Sequence, residues 1–269
     1  MSVTVIETPM TLAAINYAYS GRQVLRDVSL VLREGEMVAL VGPSGCGKTT
    51  LAHIATGTLT PDQGRVLRRY RRHGVVFQEP RLLPWATALD NIALSVELTG
   101  VKRKAARDKA HEVAERAALL PDDLAKFPAE LSGGMRQRVS IVRALAVDPD
   151  FMIFDEPFGA LDAALRRRMQ DLVLSAVADM GFAGLFITHD LTEAARVAHR
   201  IAVMDARGQG ILGSVTPPGR IGHRSEAQLF GFVQECLANN PLFADLDSVD
   251  ERAAPTFCGC DPIGLSRCC

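Results

Sequence analysis

No charge of either sign predominates in this chain: 30 Lys and Arg stand against 31 Asp and Glu, a formal net charge of −1 over 269 residues. That balance excludes a global field able to hold nucleic acid or an acidic bilayer, so nucleic acid is not an expected partner and only local clusters remain. No apolar run approaches the ~18 residues that a membrane span requires. The basic start, apolar stretch and cleavage site of a signal peptide are missing as well, and the chain is expected in the cytosol. There is no internal repeat. Cysteines do not form the framework of a small secreted protein, and in this compartment the thiols are expected to be reduced. Cys46 lies in a glycine-rich segment, Cys236 stands alone, and Cys258, Cys260, Cys268 and Cys269 crowd the last twelve residues. What remains, 48% hydrophobic and 23% charged, is ordinary for a globular chain with ample core.

The most informative segment is Gly42-Pro43-Ser44-Gly45-Cys46-Gly47-Lys48-Thr49-Thr50. It has the G-x-x-x-x-G-K-T spacing of a phosphate loop, entered from the apolar run Met37 to Val41 and followed by a helical pattern from Leu51. Glycines let successive backbone N–H groups turn toward a phosphate, and the new helix adds its positive end. Lys48 then reaches the terminal phosphates and the Thr49 hydroxyl can ligate Mg²⁺. Phe151 to Phe154 form an apolar strand that ends in Asp155-Glu156. Both carboxylates should emerge at the carboxyl edge of the sheet, Asp155 placed for Mg²⁺ and Glu156 for activating water. Ser132-Gly133-Gly134-Met135 opens another helix, with Ser132 a natural N-cap and two glycines exposing N–H groups. Taken alone it reads as a capped helix. Beside a phosphate loop it reads as a second phosphate-binding end, completing a site on another copy of the domain.

Along the chain, alternation through Thr11 to Tyr17 and Val24 to Leu32, with Ser20-Gly21 between, predicts antiparallel strands. From Ala86 to Ala118 an Ala-, Lys- and Glu-rich composition predicts two or three helices. Apolar strands return at 151–154, 185–188 and 201–204, separated by helical patterns such as Ala163 to Met180, which implies a parallel sheet. Beyond Thr216-Pro217-Pro218-Gly219 the pattern dissolves, apart from a possible helix at Glu226 to Ala238.

This ordered set resembles the ATP-binding-cassette ATPases over about residues 11–215. Within them, Phe77 to Trp85, Leu131 to Arg138 and Pro157 to Asp162 are similar to the nitrate, sulfonate and taurine importer group. The resemblance implies an α/β, RecA-like phosphate-loop NTPase core carrying an antiparallel β subdomain and a helical subdomain at about 86–147, with residues 216–269 as a C-terminal extension. It implies that Tyr19 stacks on adenine, with Tyr17 as runner-up. It also implies that Gln78 senses Mg²⁺ and the γ-phosphate, that His189 is the switch on the γ-phosphate, and that Asp162 links two sites across a dimer. ATP and Mg²⁺ are the implied cofactors. A second copy of the chain, an integral membrane permease and, indirectly, a solute-binding protein are the implied partners, with the chain held at the cytoplasmic face of the inner membrane. The implied solute is a nitrate-, sulfonate- or taurine-like anion, with a thiamine-precursor pyrimidine as the alternative. The rivals from other classes are a soluble ATPase of the same superfamily acting in DNA repair or on ribosomes, and a small-molecule kinase.

Met135 replaces a glutamine commoner elsewhere in the superfamily, which removes a reciprocal bond but leaves the glycine N–H groups, and the importer group tolerates this. Two other features depart from the group. The stretch with Arg65, Arg68, Arg69, Arg71 and Arg72 is short and is expected to be a solvated basic edge, with lipid headgroups as the alternative contact. The Cys258–Cys269 tail is expected to be disordered, although its thiols could bind a soft metal or act as a redox switch. Trp85 is expected either in the core or at an interface.

Overall fold

Alternation of buried and exposed positions builds the first sheet. The computed structural model describes residues 8–159 and 161–244; the cysteine-rich tail lies outside the described residues. Strands β1 (Met10–Tyr19) and β2 (Arg22–Leu32) pair antiparallel across Ser20-Gly21. Both turn residues have positive φ, 48° and 82°, the hand that matches strand twist in a two-residue hairpin. A third strand, β4 (Gln63–Arg68), pairs with the other edge of β1. Met10, Leu12, Ile15, Leu25 and Val28 point inward and share one core with the phosphate-loop helix.

The second sheet contains β3 (Met37–Val41), β5 (His73–Val76), β6 (Phe151–Asp155), β7 (Ala183–Ile187), β8 (Arg200–Met204) and β9 (Ile211–Val215). Their order is β5-β6-β7-β3-β8-β9, parallel except for the antiparallel edge strand β9. Every residue of β3, β6 and β7 is buried. Such strands are covered on both faces, which is why they read as unbroken apolar runs. Because β6, β7 and β3 are adjacent and parallel, the loops leaving their carboxyl ends emerge together at one edge.

Between β5 and β6 the described chain is helical: α2 (Ala88–Glu97), α3 (Arg103–Arg116), α4 (Pro121–Leu124) and α5 (Gly133–Leu145). These helices have a core of their own, in which Ala106, Ala110 and Ala114, spaced by one turn along α3, pack with Ile92, Val96 and Val139. The phosphate-loop helix α1 (Lys48–Thr56) and the helices α6 (Ala163–Met180), α7 (Leu191–Val197) and α8 (Glu226–Asn239) complete the fold. Through Leu229, Val233 and Cys236, α8 packs in one cluster with Leu191 and Ala194 of α7 and Ala39 and Val41 of β3. The antiparallel strand β9 had no counterpart in the sequence reading. Among the described residues no helix is long and apolar enough to cross a membrane.

Candidate functional site

The phosphate loop leaves β3 and turns into α1. Gly47 caps that helix at φ 105°, ψ 9°. A Cβ on Gly47 would lie 2.6 Å from Leu25 Cδ2, so backbone conformation and close approach both require glycine. Lys48 is buried and turns its ammonium back on the loop, donating to Gly42 O and Pro43 O at 2.8 Å each, with Cys46 Sγ 3.9 Å away. The loop's own carbonyls thus hold the cation over the phosphate loop. Cys46 is buried beside it, and burial pushes its thiol up, which keeps it protonated and unreactive.

At the end of β6, Asp155 Oδ1 accepts from Thr49 Oγ1 at 3.2 Å. Burial pushes the Asp155 carboxyl up, and the Thr49 bond pulls against it. A hydroxyl and a carboxylate side by side are hard oxygen donors. With waters and phosphate oxygens they suit Mg²⁺, which takes few protein ligands. The next residue, Glu156, has φ 45°, a strained conformation for a side chain with a Cβ, held by its N–H donating to Ile187 O of β7 at 3.0 Å. The turn brings its carboxylate to two neighbours: Gln78 Nε2, following β5, donates to Oε2 at 3.4 Å, and His189 Nδ1, following β7, lies 3.5 Å from Oε1. Three strand ends thus converge on Glu156.

The structure separates the two tyrosines. Tyr19 is 57% exposed at the end of β1, while Tyr17 packs against the core and meets the Tyr19 ring edge-on at 5.5 Å. Ser132 caps α5, its Oγ accepting from Met135 N at 3.2 Å. The glycines after it differ: a Cβ on Gly133 would come no nearer than 3.9 Å, to Arg136 Nη2, whereas a Cβ on Gly134 would lie 2.5 Å from Leu165 Cδ2 of α6. Gly134 is therefore small so that α5 can seat on α6. Asp162 caps α6 by accepting from Leu165 N at 2.9 Å. Among the described residues no hydrogen bond or ion pair joins Ser132 to Met135 with the phosphate loop, Asp155 or Glu156.

Trp85 is 74% exposed, which settles against the core position. The loop that carries it is fastened from behind by residues that sequence reasoning missed. Buried Asn91 on α2 accepts from Leu83 N at 2.7 Å and donates to Leu83 O, Ala86 O and Thr87 O. Arg143 donates to Pro80 O and Arg81 O, and Gln137 to Phe77 O. Asn91 did leave a signal, a polar residue among the apolar positions Leu89, Ile92 and Ala93. All five arginines of the basic stretch are exposed, as expected of a solvated edge, but Arg68 is also tied to the protein. Arg68 Nε donates to Ala55 O at 2.8 Å and its Nη2 to Ile54 O, carbonyls in the last turn of α1.

A phosphate loop, an acidic pair on a neighbouring strand, and a glutamine and a histidine converging on the second acid define a phosphate-loop nucleotide hydrolase. Residues 25–159 match the ABC transporter family. The taurine import ATP-binding protein TauB of Pseudomonas aeruginosa (strain UCBPP-PA14) is 44% identical over 210 residues, 76% of either chain. The aliphatic sulfonates import ATP-binding protein SsuB 1 of Nocardia farcinica is 39% identical over 230 residues, 86% of this chain and 91% of that one. Among solved structures, the dimeric ATP-binding cassette MJ0796 with ADP and phosphate superposes with a TM-score of 0.71 at 28% identity, covering 78% of this chain and all of that one. The chain belongs to the ABC transporter family and is an ATP-binding subunit whose ATP hydrolysis is coupled to transport.

Proposed function

We propose that this chain is the ATPase subunit of an importer for a taurine- or sulfonate-like anion, and that two copies enclose two Mg-ATP between them. The observation that carries the two-copy site is the position of Ser132 and Gly133: exposed at a helix start, yet not hydrogen-bonded to the phosphate loop of their own chain. In this reading residues Gly42 to Thr50 hold the phosphates, with Lys48 drawn from the loop carbonyls to the ligand, and Tyr19 meets the adenine. Thr49, Asp155 and Gln78 would hold Mg²⁺, which would supply charge neutralisation on the phosphate oxygens. Glu156 takes the proton of the attacking water, while His189 and Gln78 orient around the γ-phosphate. Ser132 to Met135 of the second copy close the site, and Asp162 touches that copy.

The permease is proposed to dock on the loop from Gln78 to Trp85 and the adjoining helices, where the exposed indole supplies an apolar anchor. A solute-binding protein would act through the permease, and the chain would sit at the cytoplasmic face of the inner membrane. The names of relatives, and not any residue of this chain, support the solute class. The test is a pull-down of tagged Glu156→Gln protein in Mg-ATP from detergent-solubilised membranes of its source organism. The substitution is expected to abolish steady-state hydrolysis and trap an ATP-bound dimer that brings down a multi-span permease. Wild-type turnover would remove Glu156 as base. Recovery of ribosomes or DNA-repair proteins would replace the importer with a soluble ATPase of the family.

A further inference from the structure

Arg166, near the start of α6, reaches three places at once. Its Nη2 donates to Leu161 O at 3.2 Å, immediately before the helix cap Asp162. Nη1 lies 3.9 Å from Asp190 Oδ2, and Nε lies 3.5 Å from Glu193 Oε1. Glu193 is buried on α7, and its other oxygen accepts from Thr188 Oγ1 at 3.0 Å. That same hydroxyl oxygen accepts from Asp190 N at 3.0 Å. His189 is therefore flanked by Thr188 and Asp190, both held in a network that ends on Arg166.

One bond in this network is unmade. Arg166 Nε is shielded from solvent and has no hydrogen-bond partner among the described residues. Its 3.5 Å separation from Glu193 Oε1 exceeds a charge-assisted hydrogen bond of about 2.7–2.9 Å by more than half an ångström. A shielded N–H beside a buried carboxylate favours any small movement that closes the gap. The backbone that Arg166 also holds, at Leu161, is the segment that precedes Asp162.

We propose that Arg166 is a positioning residue that couples the Leu161–Asp162 segment to the histidine beside Glu156. Arrival of a second copy at Asp162 shifts this segment, draws Arg166 Nε onto Glu193, and through Thr188 and Asp190 fixes His189 against Glu156. The proposal rests on the reading of Asp162 as a dimer contact and His189 as a γ-phosphate residue. The link is a contiguous chain of polar contacts, open at the step from Arg166 Nε to Glu193 in this structure, and closure of that step supplies the second arrangement that coupling between sites requires.

The test uses full-length Arg166→Gln, Arg166→Lys, Glu193→Gln and the double variant Arg166→Gln/Glu193→Gln, with His189→Ala as reference. Arg166→Gln is expected to lower kcat roughly tenfold, a coupling loss within the usual range, with KM for ATP held within about twofold. ATP-driven dimerisation, measured by sedimentation in the Glu156→Gln background, should persist. Arg166→Lys should restore most of the rate, and the double variant should be no slower than the slower single one. Unchanged kcat in Arg166→Gln beside an inactive His189→Ala overturns the link alone. Loss of dimerisation and melting temperature without rescue by lysine overturns it in favour of a purely structural role. Wild-type hydrolysis by His189→Ala overturns the parent reading and this proposal with it.

Discussion

Replacing Arg68 by alanine separates a helix-capping arginine from a solvated one. Its guanidinium donates to Ala55 O and Ile54 O, carbonyls in the last turn of a helix only nine residues long, where Ile54 O also accepts from the cap Gly57 N–H and Ala55 O from Tyr70 Oη. A hydrogen bond to a charged group contributes about 1.5–3 kcal/mol when well shielded. A cation at a helix C-terminus adds about 0.3–1 kcal/mol. Arg68 itself is exposed, and water can replace part of both bonds, so the net loss expected is about 1–2 kcal/mol. At about 2–4 °C per kcal/mol for a domain of this size, the melting temperature should fall by roughly 2–8 °C. Differential scanning fluorimetry of Arg68→Ala, Arg65→Ala and Arg69→Ala measures this directly. The other two should stay within about 0.5 kcal/mol of wild type, the range of ordinary surface substitutions. Added salt should narrow the Arg68 difference. Mg-ATP should raise all four proteins equally, because the phosphate contacts lie at the other end of α1. An Arg68→Ala protein that melts with wild type, or an Arg65→Ala protein that falls as far, would refute the cap.

Asp155 gives a prediction in pH. Its folded carboxyl is raised by burial, so between the unfolded and folded values the native state holds more protons and stability falls as pH rises through that window. At neutral pH the ionised group costs the nucleotide-free protein stability. Asp155→Asn should therefore melt higher than wild type without ligand at neutral pH, converge with it in acid, and gain less from Mg-ATP. A lower apo melting temperature at neutral pH would reverse the argument. Gly134→Ala places a Cβ 2.5 Å from Leu165 Cδ2, and overpacking should cost about 1–3 kcal/mol, less to the extent that Leu165 yields. Gly133→Ala, whose Cβ meets Arg136 Nη2 at an ordinary contact distance of 3.9 Å, should leave stability near wild type. Leu165→Ala in the Gly134→Ala background should relieve the clash, and thermal melts of the set decide whether seating α5 on α6 is the role of Gly134.

The active edge was legible because each of its pieces is short and continuous in sequence. Unbroken apolar runs mark β3, β6 and β7 as doubly covered strands, and the residues just after each run had to emerge where parallel strands end. The pairing across those ends was not legible. Nothing local announces that Glu156 would take φ 45°, or that Gln78 and His189, following different strands, would both reach its carboxylate. Arginines were the least readable class. Arg68 sits in a run of similar residues, and composition cannot say which guanidinium ends in water and which on helix carbonyls, because either end state leaves its aliphatic stem on the surface. Arg166 is harder still, one of three consecutive arginines whose partners Leu161, Asp190 and Glu193 lie on two sides of β7 in sequence. A buried carboxylate is the more readable half of such a pair: Glu193 stands between apolar Leu191 and Ala194 on α7, and an acid on a covered face needs donors. Once Glu193 is taken as buried, a cation from the packed neighbouring helix is required, and α6 offers it. Searching first for acids on covered faces, and only then for their arginines, would have found this network from the sequence with the fold in hand.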